Sequence, residues 1–386
     1  MQCSRWVSLA LLSSVLSACG GGDAAPRDDD DAGVARPDGG GGDAAVDDDC
    51  VPYVAPSAEA CRPPSDGPLP ADLRCTGLYG DFDARALACG VLAYKPAFEL
   101  WSDGAEKHRY AWFPPGSKID VRNADEFSYP EGTKFWKEFR VAGVGGAMRL
   151  AETRLLEKSA DGWLYTSYVW SADEKEARQM VNATGVADLL GTGHIVPTRE
   201  QCGECHKGRR DFVLGWDALM LGPGAEGVTR EDLQKRGLVD DASTLALSIP
   251  GSAVERAALG TMHVNCGISC HNENVEAAGR DSGLHLRLER AELASVRATD
   301  AFKAINKRPN VNAKYDGLAN RDPNNWYGIR PGDPARSLMI ARQTLRGFEG
   351  QMPRIATKKV DEAGVEAVTA WIESMTGDAA YPAPAP

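Results

Sequence analysis

Cys202, Cys205 and His206 stand in the order Cys-x-x-Cys-His, within Thr198-Arg199-Glu200-Gln201-Cys202-Gly203-Glu204-Cys205-His206. On a helix, thiols at i and i+3 point to one side, and the imidazole beside the second thiol stands close to both. Three chemistries use such groups. A redox dithiol would need Cys202 and Cys205 alone, but it is read where a βαβ pattern surrounds it, and none does here. A zinc site would need a fourth ligand, usually from a second cysteine pair. Covalent attachment of a c-type haem uses all three residues: the thiols add across the porphyrin vinyl groups and the histidine becomes the proximal iron ligand.

A looser copy follows at Cys266-Gly267-Ile268-Ser269-Cys270-His271, with one extra residue between the cysteines. A local bulge would accommodate that residue, and Gly267 would ease it. The alternatives are a small disulfide loop or a tetrahedral metal site built from the four thiols. If both motifs carry haem, each iron has a sixth position to fill. Met352, in Gln351-Met352-Pro353 after Gly347 and Gly350, is the candidate for the second haem, because a thioether raises the iron's potential and suits electron transfer. For the first haem His194, Met220, Met262 and His263 all remain candidates, while His108 and His285 have nothing to single them out.

The rest of the chain must position these groups. Its 386 residues suffice for two or three domains with real cores. A net charge of −12 argues against nucleic acid or anionic membrane surfaces as electrostatic partners. Residues 1–18 read as a lipoprotein signal peptide: Arg5 precedes a short apolar run from Trp6 to Leu16, and Leu16-Ser17-Ala18-Cys19 resembles a lipobox, which would make Cys19 a lipid anchor. Gly20 after it favours the outer membrane, facing the periplasm. Residues 19–49, with Asp28 to Asp31 and Gly39 to Gly42, form an acidic, Gly-rich linker too polar to bury a core; a calcium-binding aspartate cluster is the alternative. Export permits disulfides. Cys50, Cys61, Cys75 and Cys89 remain for them, and short loops favour Cys50 with Cys61 and Cys75 with Cys89.

Residues 50–96 are Pro- and Cys-rich and irregular. Residues 97–196 carry strand signals at Lys107 to Phe113, Thr133 to Val141, Arg149 to Glu157 and Trp163 to Trp170, with Asp161-Gly162 as a hairpin turn. Residues 197–376 turn helical. Thr198 with Gln201 and Ser252 with Glu255 form capping boxes, and Asp361 caps a last helix with the stripe Val365, Val368, Trp371, Ile372 and Met375. Residues 377–386 are a tail. The fold class expected is multidomain, a sandwich- or barrel-like β domain followed by a mainly α domain.

Several stretches are similar to an exported bacterial family of cytochrome c-like proteins with a β-rich N-terminal region and a haem-binding C-terminal region. They are Thr76 to Tyr79, Gly90 to Pro96, Glu99 to Lys107, Gly132 to Phe139, Leu259 to Cys266 with Cys270-His271-Asn272, and Gly332 to Leu338 with Gln351-Met352-Pro353. The extra residue between Cys266 and Cys270 departs from that pattern. The resemblance implies a cytochrome c-like domain over 197–376, haem binding and electron transfer between redox partner proteins, with no substrate implied. Two other readings stand beside it: a di-haem enzyme of the peroxidase or oxidase type, and a non-haem lipoprotein using its cysteines for disulfides or zinc.

Overall fold

The computed structural model describes residues 50–65, 67–180, 185–310 and 313–376, and Tyr381. The expected signal peptide, the lipid anchor at Cys19, the acidic linker and nearly all of the tail lie outside the described residues.

Strands in which aromatic and aliphatic residues alternate with charged and polar ones build one antiparallel sheet of seven strands. After the short hairpin of β1 (Tyr79–Asp81) and β2 (Ala86–Leu87) come β3 (Leu92–Lys95), β4 (Glu106–Trp112), β5 (Lys134–Ala142), β6 (Met148–Ser159), β7 (Gly162–Trp170) and β8 (Ala177–Gln179). A last two-residue strand, β9 (Glu226–Gly227), returns to pair with β3. The order β8-β7-β6-β5-β4-β3-β9 is an open meander, in place of the expected sandwich or barrel. Its edges are kept short, three residues in β8 and two in β9, and β8 is covered by the Asp72–Arg178 bridge.

Side chains alternate across the sheet, so each strand serves two cores. Trp136, Leu155, Tyr168 and Trp170 are buried with Leu73, Leu78, Tyr79 and Val91 of the preceding segment. Phe113 and Phe135, on the opposite face, are buried with Trp216, Leu219, Leu259, Val368 and Trp371 from the later half. That shared core and β9 both cross the boundary expected near residue 196.

The segment before the sheet is held by two disulfides, Cys50–Cys89 and Cys61–Cys75. This corrects the pairing expected from loop length. A doubling of loop length costs only about 0.6 kcal/mol in closure entropy, which local pairing easily outweighs. Here Val51 bridges Ala88, and Cys89 donates its N–H to the Val51 carbonyl at 3.1 Å, which sets Cys50 beside Cys89.

The helices are short: α1 (Arg199–His206), α2 (Arg230–Lys235), α3 (Ala253–Met262), α4 (Asp300–Lys303), α5 (Leu338–Thr344) and α6 (Glu362–Ser374). Both expected capping boxes form, at Thr198–Gln201 and Ser252–Glu255, and Asp361 accepts from the Gly364 N–H at the start of α6. Among the described residues no helix is long and apolar enough to cross a membrane.

Candidate functional site

Helix α1 carries Cys202, Cys205 and His206 on its last two turns. The His206 ring lies against Phe212 at 5.0 Å, and Phe212 meets Tyr165 of β7 at 4.9 Å, so the motif rests on the sheet through an aromatic relay. Phe212 adopts a left-handed φ of 62°, uncommon for a bulky residue, in the turn that presents its carbonyl to His206. The Nδ1–O distance is 2.7 Å. A carbonyl only accepts, so Nδ1 carries the proton and Nε2 keeps its lone pair.

The second motif reaches the same state by another route. Helix α3 widens into a π turn at His263–Gly267, with i to i+5 bonds from Ile268 N to His263 O and from His271 N to Cys266 O. The wider turn absorbs the residue that separates this motif from Cys-x-x-Cys-His. Gly267 contributes by close approach: a Cβ there would lie 2.4 Å from the Arg287 backbone nitrogen. His271 Nδ1 lies 3.1 Å from the Leu284 carbonyl and 3.0 Å from Ser282 Oγ, which again leaves Nε2 with the lone pair. Burial lowers both histidines to about 4, so both rings are neutral at pH 7.

Each motif opens on its own cavity. Cys202, Cys205 and His206 line one of 160 Å³, walled by the inner face of the sheet. Cys266, Cys270, His271 and Met352 line another of 380 Å³, bounded by α5 and the loop after it. The second falls within the roughly 300–1,000 Å³ of small-molecule sites, and the first is tighter. The cavities adjoin, since Leu100, Trp101, Cys205 and Ile355 face both. Backbone packing presses the motifs together at Gly208, where a Cβ would lie 1.8 Å from the Ser269 carbonyl oxygen. Burial raises the thiols of Cys202 and Cys266, the latter to about 12, with Asp361 adding to the effect at Cys266.

The four candidates for the first sixth position separate cleanly. His194 and Met220 line the first cavity, whereas Met262 and His263 are buried away from both. His263 also has the wrong tautomer for Nε2 ligation: its Nδ1 accepts from the Leu288 N–H at 2.9 Å, so the proton sits on Nε2. His194 Nε2 lies 3.0 Å from Glu152 Oε2, while Met220 is fully buried beside Val264 and Ile268. His108 lies on β4, half-exposed and 2.7 Å from Glu106, and His285 faces Glu273 and Asp300.

Reading the sequence missed the cavity walls. Arg109, Lys137 and Arg154 line the first cavity, and Lys307, Arg308, Arg342 and Arg354 the second, in a chain that is acidic as a whole. Among the described residues no three His, Cys, Asp or Glu side chains converge as a group that could hold a metal ion. No protein-family model, curated protein or solved structure matches this chain.

Proposed function

We propose that this chain is an exported, lipid-anchored c-type cytochrome that carries two haems and passes electrons between redox partners, the helical part serving as its cytochrome c-like domain. The observation that carries the reading is the matched state of His206 and His271. Each is neutral, fixed through Nδ1–H to a backbone carbonyl, and left with an Nε2 lone pair beside two cysteines on a cavity wall. Second-sphere carbonyls orient metal-bound imidazoles in this way. The donor set fits the group: two thiols to bond covalently, one imidazole to ligate, and an apolar cavity with cationic walls for a hydrophobic macrocycle bearing two carboxylates.

Cys202, Cys205 and His206 would hold the first haem, and Cys266, Cys270 and His271 the second, with Met352 as the second iron's thioether ligand. The group supplies one-electron iron chemistry when bound. The protein's own residues do the rest. Phe212 and Leu284 orient the imidazoles, Trp101 and Leu100 separate the cavities while keeping them adjacent, and the buried aromatic face of the sheet excludes water. The lipobox-like segment ending at Cys19 supports export and anchorage at the outer membrane, facing the periplasm.

The test is production of the exported chain with a cytochrome c maturation system, followed by a denatured haemochrome spectrum. Two covalent haems per chain are expected. None would return the cysteines to disulfide or zinc chemistry. A high-spin, carbon-monoxide-binding iron would favour the peroxidase-type reading over the carrier.

A further inference from the structure

The inner face of the sheet carries a cationic row that no strand requires. Arg109 of β4 pairs in register with Lys137 of β5, and Lys137 with Arg154 of β6. All three line the cavity that holds Cys202, Cys205 and His206. Like charges directly opposite one another across strands are destabilising, so such a row needs compensation. Two members have it. Arg109 Nη1 lies 2.9 Å from Glu99 Oε2, and Arg154 makes a two-pronged contact with Glu152 at 2.8 and 2.9 Å. The middle member has no such pairing: among the described residues Lys137 Nζ makes no ion pair or hydrogen bond and lies over the ring of Phe139 at 5.0 Å, with Glu99, already paired to Arg109, as the carboxylate whose charge it feels. Lys137 is half-buried and lines the cavity. Burial, reinforced by Arg109, Arg154 and Lys107 and partly offset by Glu99, pulls its ammonium well below the ordinary lysine range.

A lysine so placed, with two cationic neighbours and no paired counter-ion, keeps its proton only at a cost, and an anion joining it removes that cost. We propose that Lys137, framed by Arg109 and Arg154, is a carboxylate-binding position on the wall of the first cavity, filled by the propionate groups of the haem attached at Cys202 and Cys205. This rests on the haem reading above and adds to it a way for the sheet to grip the cofactor and set its potential. A paired propionate stays ionised with its charge compensated. Without Lys137 the carboxylate would face the iron uncompensated, stabilise the ferric form and titrate nearer neutrality.

The test compares wild type, Lys137→Gln and Lys137→Arg as matured full-length chains. Haemochrome stoichiometry is measured first, and it checks the haem reading alone. Redox titrations across the neutral pH range then check the proposal. Lys137→Gln is expected to keep both haems and its low-spin spectrum, to lower one potential and to make that potential fall as pH rises. Lys137→Arg, which keeps the charge, is expected to restore the wild-type curve. Three results would overturn the proposal: unchanged potentials in Lys137→Gln; a low-spin to high-spin change that Arg fails to rescue, making the amine an iron ligand; or a saturable spectral response of wild type to added acetate that Lys137→Gln abolishes, making the site one for a free anion. Absence of haem at Cys202 in wild type would overturn it together with the haem reading, which the stoichiometry reveals before any potential is measured.

Discussion

Cys205 and Cys270, the second cysteines of the two motifs, both face the second cavity, close enough for each thiol to shift the titration of the other. Their interaction raises Cys205 and lowers Cys270, so Cys270 is the sulfur better able to hold negative charge. Thioether bonds formed at these two positions would bring the two porphyrin edges together, the arrangement required for rapid exchange between two carriers.

The same proximity makes a prediction for protein that has not received its cofactor. Two neighbouring thiols on one cavity wall, one of them favoured as thiolate, oxidise readily in an oxidising compartment. Chain exported without the maturation machinery is expected to contain a Cys205–Cys270 disulfide besides Cys50–Cys89 and Cys61–Cys75. Non-reducing peptide mapping reads this directly; a Cys202–Cys205 bridge in its place would show that the first motif closes on itself.

This proximity was invisible in the sequence, although much around it was legible. Hairpin chemistry at Asp161-Gly162 placed β6 and β7, and the side-chain-to-backbone logic of Thr198–Gln201 placed the start of α1. Those signals are local. What escaped depends on register between segments far apart: β4 and β5 are joined by a long connection, so nothing local reveals that Arg109 faces Lys137. The disulfides failed for the same reason, since a rule based on loop length ignored the Val51–Ala88 pairing. Met352 stood out because its turn and the helix after it are both local features; it lines the cavity of the second motif.

Gly208 is where the two motifs touch through backbone, and it tolerates no side chain. With a Cβ 1.8 Å from the Ser269 carbonyl oxygen, Gly208→Ala forces the segments apart. Overpacking of this kind costs about 1–3 kcal/mol. A drop of that size in chemical unfolding is expected, together with weaker Cys205–Cys270 bridging in cofactor-free protein. Wild-type stability in the variant would mean that the close approach relaxes freely.

Met220 is expected to be the sixth ligand of the first iron in preference to His194. The Nε2 of His194 is engaged by the Glu152 carboxylate, whereas Met220 packs with Val264, Ile268, Leu100 and Leu214. Met352→Ala should remove one sulfur-to-iron charge-transfer component and lower one potential, and Met220→Ala should remove the other. His194→Ala should leave both components in place. A high-spin iron in His194→Ala, with the band intact in Met220→Ala, would reverse the assignment.

Acid should loosen the wall of the first cavity through Glu152. Burial alone would push this carboxyl up, but Arg154 and His194 outweigh it and hold the group at about 2, below its ordinary 4.5. The folded state therefore favours the ionised form. The stabilisation is complete above pH 4.5 and is lost as pH falls from there toward 2. A shift of this size corresponds to about 3 kcal/mol, a sizeable part of the margin by which domains are stable. Denaturant unfolding followed over that window should show wild type losing about this much relative to Glu152→Gln, which starts less stable at neutral pH and lacks the titrating group. Parallel pH curves for the two proteins would remove Glu152 as the acid-sensitive element.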